Sequence, residues 1–254
     1  MTKLAKRIGS AVLAAGLVCG CILPASAAEA EEEARVLQYE TAQPVSSVVV
    51  DTEYADVVIQ PGQTDRITVE SAADAWGTFS YDCTVADGVL TVDVDGVEPK
   101  EYREYTQIGP FRILSSYMSP FYRNTVTITL PNKMYDSIQV AVDYDDIRMR
   151  DIQSQTARLT TEYGDIVLAG VQPQKLEYES KYGDVVFDQA AVIQCQGATK
   201  YGDVTGTIAG SKSSYSTSTS VEYGDSNLRA QIGDGVHALA FNTKYGDIDV
   251  DFTA

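Results

Sequence analysis

Residues 160–170, TTEYGDIVLAG, decide the fold. Their tripeptide Tyr163-Gly164-Asp165 returns as Tyr182-Gly183-Asp184, Tyr201-Gly202-Asp203, Tyr223-Gly224-Asp225 and Tyr245-Gly246-Asp247. Altered forms stand at Tyr144-Asp145-Asp146 and Tyr54-Ala55-Asp56. Tyr144, Tyr163, Tyr182 and Tyr201 are spaced by 19 residues, and Tyr223 and Tyr245 follow at intervals of 22. A fixed period near twenty is the mark of a stacked repeat, in which no unit buries its apolar face alone.

Alternation within each unit shows where the faces lie. Counting back from Tyr163, the even offsets are Thr161, Leu159 and Ala157; from Tyr182 they are Ser180, Tyr178 and Leu176. The residue just before the tyrosine is always charged: Asp143, Glu162, Lys181, Lys200, Glu222 and Lys244. Past the Gly-Asp, the alternation resumes in shifted phase with Ile147, Ile166, Val185, Val204 and Ile248. Period-two alternation is a strand signal. Gly-Asp therefore reads as a corner between two strands whose inward residues share one core. On this reading Tyr163 and Ile166 face the core on either side, and Glu162 faces water. The glycine supplies a positive φ, and the aspartate bonds its own turn.

Two all-β architectures fit: a meander of antiparallel hairpins, or a β-solenoid of 19–22-residue coils. The near-identity of every corner favours the solenoid, where like residues stack about 4.8 Å apart. In chain order, the charged row then gives three opposite-sign neighbours: Glu162/Lys181, Lys200/Glu222 and Glu222/Lys244. Asp249 and Asp251 point outward from the last coil and discourage end-to-end sticking.

The N-terminus reads as a leader. Lys3, Lys6 and Arg7 precede an uncharged apolar run, and Ala25-Ser26-Ala27 is a small-residue cleavage site, so residues 1–27 are expected to be a signal peptide. Val18-Cys19-Gly20-Cys21 offers the alternative of a lipid anchor at Cys21. Residues 28–44, with Glu29, Glu31, Glu32 and Glu33, read as an acidic tether, and residues 45–254 as one β-repeat domain with order starting near Ser46. The whole chain has formal net charge −17, and loss of the leader would leave 16 basic residues against 36 acidic ones. Such a surface repels phosphate backbones, which argues against nucleic acid, and it would attract cations or cationic peptides if it is more than a solvated acidic face.

Residues 97–124 interrupt the pattern, as a long loop rich in aromatics before the Tyr-Gly-Asp coils of 134–254. Tyr102, Tyr105, Phe111, Tyr117, Phe121 and Tyr122, with arginines interspersed, form a candidate partner surface or a cover for one end of the core. No catalytic constellation stands out. His237 is the sole histidine, and no nucleophile motif adjoins it. The row Asp146, Asp165, Asp184, Asp203, Asp225 and Asp247 brings one carboxylate per coil, too few oxygens for a calcium ladder. Only Cys83 and Cys195 remain beyond the leader, with no metal-binding spacing. The sequence calls for no cofactor and no metal.

The run TVTITLPNKMYDSIQVAVDYDDIRMRDI (125–152) and the units TEYGDIVLAG, SKYGDVVF and TKYGDVTG resemble the bacterial "putative adhesin" family of β-strand-repeat domains, a domain of unknown function. The resemblance spans about residues 45–254 and implies a β-solenoid-like extracellular domain without a catalytic motif. It implies a secreted, non-enzymatic adhesin, or a binding and scaffold module for a protein, peptide or glycan at the cell surface. An envelope-stress sensor that engages cationic peptides is the alternative, and a polysaccharide lyase-like β-helix a distant one.

Overall fold

In the computed structural model, the described residues are 36–71, 79–96, 101–108, 111–118 and 124–253. The expected leader at 1–27, and the tether up to residue 35, lie outside them. The chain enters at β1 (Gln38–Thr41), then forms β2 (Ser47–Thr52) and β3 (Ala55–Gly62) around the Tyr54 corner. It continues through β4 (Ile67–Ser71), β5 (Phe79–Ala86), β6 (Val89–Gly96), β7 (Glu101–Ile108), β8 (Phe111–Met118) and β9 (Asn124–Pro131). Regular coils follow: β10 (Met134–Val142) with β11 (Ile147–Arg150), and β12 (Gln153–Thr161) with β13 (Ile166–Ala169). The next are β14 (Gln172–Ser180) with β15 (Val185–Ala190), and β16 (Gln194–Thr199) with β17 (Val204–Ala209). A 3-10 turn at Lys212–Ser214, β18 (Tyr215–Tyr223), β19 (His237–Tyr245) and β20 (Ile248–Thr253) complete the chain.

These strands build two nine-stranded sheets, ordered β1-β4-β9-β3-β11-β13-β15-β17-β20 and β18-β19-β16-β14-β12-β10-β2-β6-β5. The coils from Tyr54 to Tyr245 each give one strand to each sheet, the Tyr223 coil gives only β18, and the coils stack in parallel: Ile138, Ala157, Leu176 and Cys195 are register partners in turn. The fold is thus the all-β solenoid, not the antiparallel meander. Its core lies between the sheets, where Leu159, Ile166, Leu168, Leu176 and Val185 have no exposed surface. The two glycines that break the inward pattern are filled from neighbouring coils. A Cβ on Gly197 would lie 1.8 Å from Cζ of Tyr178, and one on Gly206 1.9 Å from the Phe187 carbonyl oxygen. Tyr178, Phe187 and Phe241 take that space, with centroids 5.7–6.2 Å apart.

Three features depart from the expected order along the chain. First, β1 falls inside the presumed tether and pairs antiparallel with β4, so order begins before Ser46. Second, the last unit is not the last coil. Strand β19 pairs with β16 on one side and β18 on the other, so the Tyr245 coil is inserted between those of Tyr201 and Tyr223. The 13 residues from Gly224 to Val236 are long enough to let the chain step out and return. Third, β6 flanks β2 and β9 flanks β3, so β6 and β9 form the coil outside Tyr54. Its corner is replaced by the connection at 97–123, which carries β7 and β8. Strands β7 and β8 pair antiparallel, where a loop was expected from the length, with Tyr102 opposite Tyr117 and Ile108 opposite Phe111.

Candidate binding surface

The repeated corner is pinned from inside. Strand β12 ends at Thr161, whose Oγ1 accepts the Gly164 N–H at 3.0 Å. Ser180 Oγ accepts the Gly183 N–H at 3.0 Å and donates to the Gly183 carbonyl at 2.7 Å. Such a buried hydroxyl, bonded three residues ahead, turns the chain so that the glycine points inward. Gly164, Gly183 and Gly202 are accordingly buried. The tyrosine before each is displaced outward, which corrects the expectation that Tyr163 and its equivalents face the core. Tyr144, Tyr163, Tyr182, Tyr201 and Tyr245 are 40–46% exposed, and Tyr223 is 58% exposed.

Close approach sets the requirement for glycine. A Cβ on Gly183 would lie 1.8 Å from the Gly164 carbonyl oxygen, and one on Gly164 would lie 1.9 Å from that of Asp145. Of the corner glycines only Gly224 has a positive φ, at 147°. The aspartates do not bond their own turns either. Each Oδ1 accepts the backbone N–H of the equivalent aspartate one coil on, from Asp56 to Asp146, Asp165, Asp184, Asp203, Asp247 and Asp225, at 2.7–3.0 Å. The row is a ladder of charge-assisted hydrogen bonds. Among the described residues, no group of three or more His, Cys, Asp or Glu side chains is arranged to hold a metal.

Outside that ladder stand seven stacked tyrosine rings. In spatial order they are Tyr54, Tyr144, Tyr163, Tyr182, Tyr201, Tyr245 and Tyr223, with centroids 4.7–5.1 Å apart and planes within 1–7°. Faces cover one another, so ring edges and phenol hydroxyls meet solvent. Beside the rings runs the charged row, whose spatial order is Glu53, Asp143, Glu162, Lys181, Lys200, Lys244, Glu222. Lys181 pairs with Glu162 at 2.5 Å and Lys244 with Glu222 at 3.3 Å. The Lys181 hydrogen bond holds the Glu162 carboxyl below its usual range, and Glu162 in turn raises Lys181. The expected Lys200/Glu222 pair does not form, because β19 comes between and puts Lys244 beside Lys200. Lys181, Lys200 and Lys244 lie 5.2–5.5 Å from the centroids of Tyr182, Tyr201 and Tyr245.

The other candidates fall elsewhere. Tyr102, Tyr105, Phe111 and Tyr117 lie on the β7–β8 hairpin, in the connection that leaves the solenoid at the Tyr54 end of the ladder. Phe121 and Tyr122 are outside the described residues. His237 Nδ1 is 3.4 Å from the Asp234 carboxylate, with the ring against Tyr215. Cys83 and Cys195 are both free thiols, and burial pushes Cys83 up to about 12. The sequence did carry a signal for the tyrosine ladder. Core positions vary among Val, Ile, Leu, Phe and Met, whereas one ring type recurs at all seven corners.

The family model for Toastrack DUF4097 matches residues 45–254. The chain belongs to that family. This Toastrack domain is similar to three solved structures. A "putative cell adhesion protein" from Clostridium sporogenes is 10% identical with TM-score 0.46, covering 86% of this chain and 100% of that one. A "putative adhesin" from Bacteroides fragilis is 12% identical with TM-score 0.42, covering 85% and 97%. Another from Parabacteroides distasonis is 11% identical with TM-score 0.43, covering 86% and 98%. No curated protein matches the sequence. Among the described residues, no helix is long and apolar enough to cross a membrane.

Proposed function

We propose that this Toastrack domain is a non-catalytic extracellular binding module that holds a protein, peptide or glycan partner along its tyrosine edge. The observation that carries this reading is the ladder itself: six exposed rings and the half-buried Tyr54 at a common spacing near 5 Å on a parallel scaffold. Tyrosine is the side chain that combines large contact area, few rotamers and a polar tip, and it is enriched where proteins meet partners. Stacking fixes each ring before any partner arrives, so little rotamer entropy is left to lose on binding. The hydrogen-bond ladder of Asp165, Asp184 and Asp203 holds the corners beneath in register.

The test is capture from native cell-surface material and from immobilised surface glycans. The purified chain is compared with a Tyr163→Ala/Tyr182→Ala/Tyr201→Ala variant. Loss of capture by the variant, with its β-sheet circular dichroism intact, is the expected result. Equal capture by a folded variant would move the binding surface off this edge. A variant lacking residues 97–123 then asks whether the aromatic insertion carries it.

A further inference from the structure

The outward face of the sheet containing β12 and β14 obeys a rule that the single chain does not need. Its charged row reads negative at Glu53, Asp143 and Glu162, then positive at Lys181, Lys200 and Lys244. Like charges side by side on neighbouring strands are unfavourable, yet here they are grouped in threes. Among the described residues Lys200 has no ion-pair partner and stands between two other lysines. The row is antisymmetric about the gap between β12 and β14. Local rules broken in this ordered way point to a compensating contact elsewhere.

We propose that this face pairs with the same face of a second copy of the chain, about a two-fold axis that lies in the interface and runs parallel to the strands between β12 and β14. The rotation reverses the stacking direction and preserves the strand direction, so each row meets itself backwards. Asp143 then faces Lys200 of the second copy, Glu53 faces Lys244, and Glu162 faces Lys181, each twice. The next rows obey the same operator without adjustment. Arg158 in β12 and Glu177 in β14 are register partners, so each Arg158 meets a Glu177. Ala141 in β10 meets Ala198 in β16, two small side chains that let the sheets approach.

Register is fixed by the same charges. Moving the axis onto β14 would set Lys181 against its own symmetry mate, and moving it onto β12 would do so for Glu162. The one like-signed contact falls at the rim, where Asp95 of β6 comes opposite Glu222 of the second copy, and solvent screens it. Inside that rim, the six strands from β2 to β19, at about 4.8 Å spacing with four outward residues each, make a face of roughly 600–800 Å². That is the share one partner contributes to a specific interface of ordinary size. An isologous contact of this kind closes on itself and yields a dimer, not a filament. It also brings the two tyrosine ladders side by side along one edge.

The experiment is sedimentation equilibrium on the purified chain without any ligand, so its outcome is independent of the binding reading above. The wild type is expected to sediment as two chains, and its dimer to weaken as salt rises. Lys200→Glu sets a carboxylate against Asp143 at two symmetric places, and Asp143→Lys does the converse with Lys200. Each variant alone should weaken the dimer by at least about tenfold while keeping its β-sheet spectrum. Mixing the two variants should restore a mixed dimer, and the doubly swapped chain should dimerise with itself. A wild type that stays monomeric up to millimolar concentration, a dimer indifferent to Lys200→Glu, or a mixture that stays monomeric would each overturn the proposal.

Discussion

The backbone N–H of Asp203 donates to Oδ1 of Asp184 at 2.8 Å, across the gap between two coils. This contact explains how a column of ionised carboxylates is tolerated. Each carboxylate is stabilised by the amide dipole of the next corner, and its charge is held where solvent reaches it. Replacing Asp184 by alanine leaves the Asp203 amide without that acceptor and should cost about 1 kcal/mol. Asn keeps an oxygen acceptor and removes a like charge from the column, so Asp184→Asn should cost clearly less. Urea unfolding of the two variants decides the point. Equal losses would mean that the carboxylate charge, not the acceptor, is what the coil uses.

Gly183 sits with its α-carbon against the carbonyl of Gly164, leaving no room for a methyl group. Its φ is ordinary, so the strain of an alanine there is purely one of contact between backbones. Overpacking of this kind typically costs about 1–3 kcal/mol. Gly183→Ala should fall at the upper end, because the obstructing atom is backbone and cannot rotate away. Gly235 is the contrasting site, with φ 86° and no described atom within 4 Å of the place a methyl group would take. There only conformational preference opposes the substitution, about 1 kcal/mol. A thermal melt in which Gly183→Ala loses no more than Gly235→Ala would remove the close-approach argument.

Which parts of this were legible follows from what period two can and cannot encode. The strands and the stacking order of the Tyr144, Tyr163, Tyr182 and Tyr201 coils are written in Val140, Leu159, Ile166 and Leu168, since a side chain is either in or out. The direction of Tyr163 was not, because alternation stops at Thr161 and the side-chain hydrogen bond to Gly164 resets the phase. Nor was the insertion of β19 between β16 and β18, since Thr199 would match Val221 as well as it matches Thr243. The β7–β8 hairpin did leave a trace in Gly109-Pro110, a turn dipeptide between two runs rich in strand-forming residues. Residue length alone obscured it.

Tyr178 is buried in the aromatic group with Phe187 and Phe241, and among the described residues its hydroxyl has no hydrogen-bond partner. Burial accordingly drives its phenol far above the ordinary value. A buried hydroxyl left unpaired costs about 1–3 kcal/mol relative to water. Tyr178→Phe keeps the ring that covers Gly197 and removes only that oxygen, so it should stabilise the protein by about 1 kcal/mol. The opposite change, Tyr178→Ala, empties the space above Gly197 and should cost about 3–5 kcal/mol. A Tyr178→Phe variant that melts below the wild type would show that the hydroxyl is bonded in solution.

Asp51 and Asp93 are register partners on β2 and β6, with Asp82 across from Asp93 on β5. Burial raises both carboxyls above the ordinary 3.8, and the surrounding carboxylates add to it: Asp143 and Asp95 for Asp51, and Asp95, Asp51 and Asp82 for Asp93. A group that binds its proton more tightly when folded favours the fold at low pH. Its contribution is fully present below the unfolded value and is lost as pH rises through the folded one. For this pair the loss therefore falls on the neutral side of the ordinary 3.8. Asp93→Asn removes one of the two charges and relieves its neighbour. The variant should therefore melt above the wild type at about pH 7 and close to it at about pH 4. Melting curves taken at both values test the sign directly, and an advantage that is larger at pH 4 would reverse the assignment.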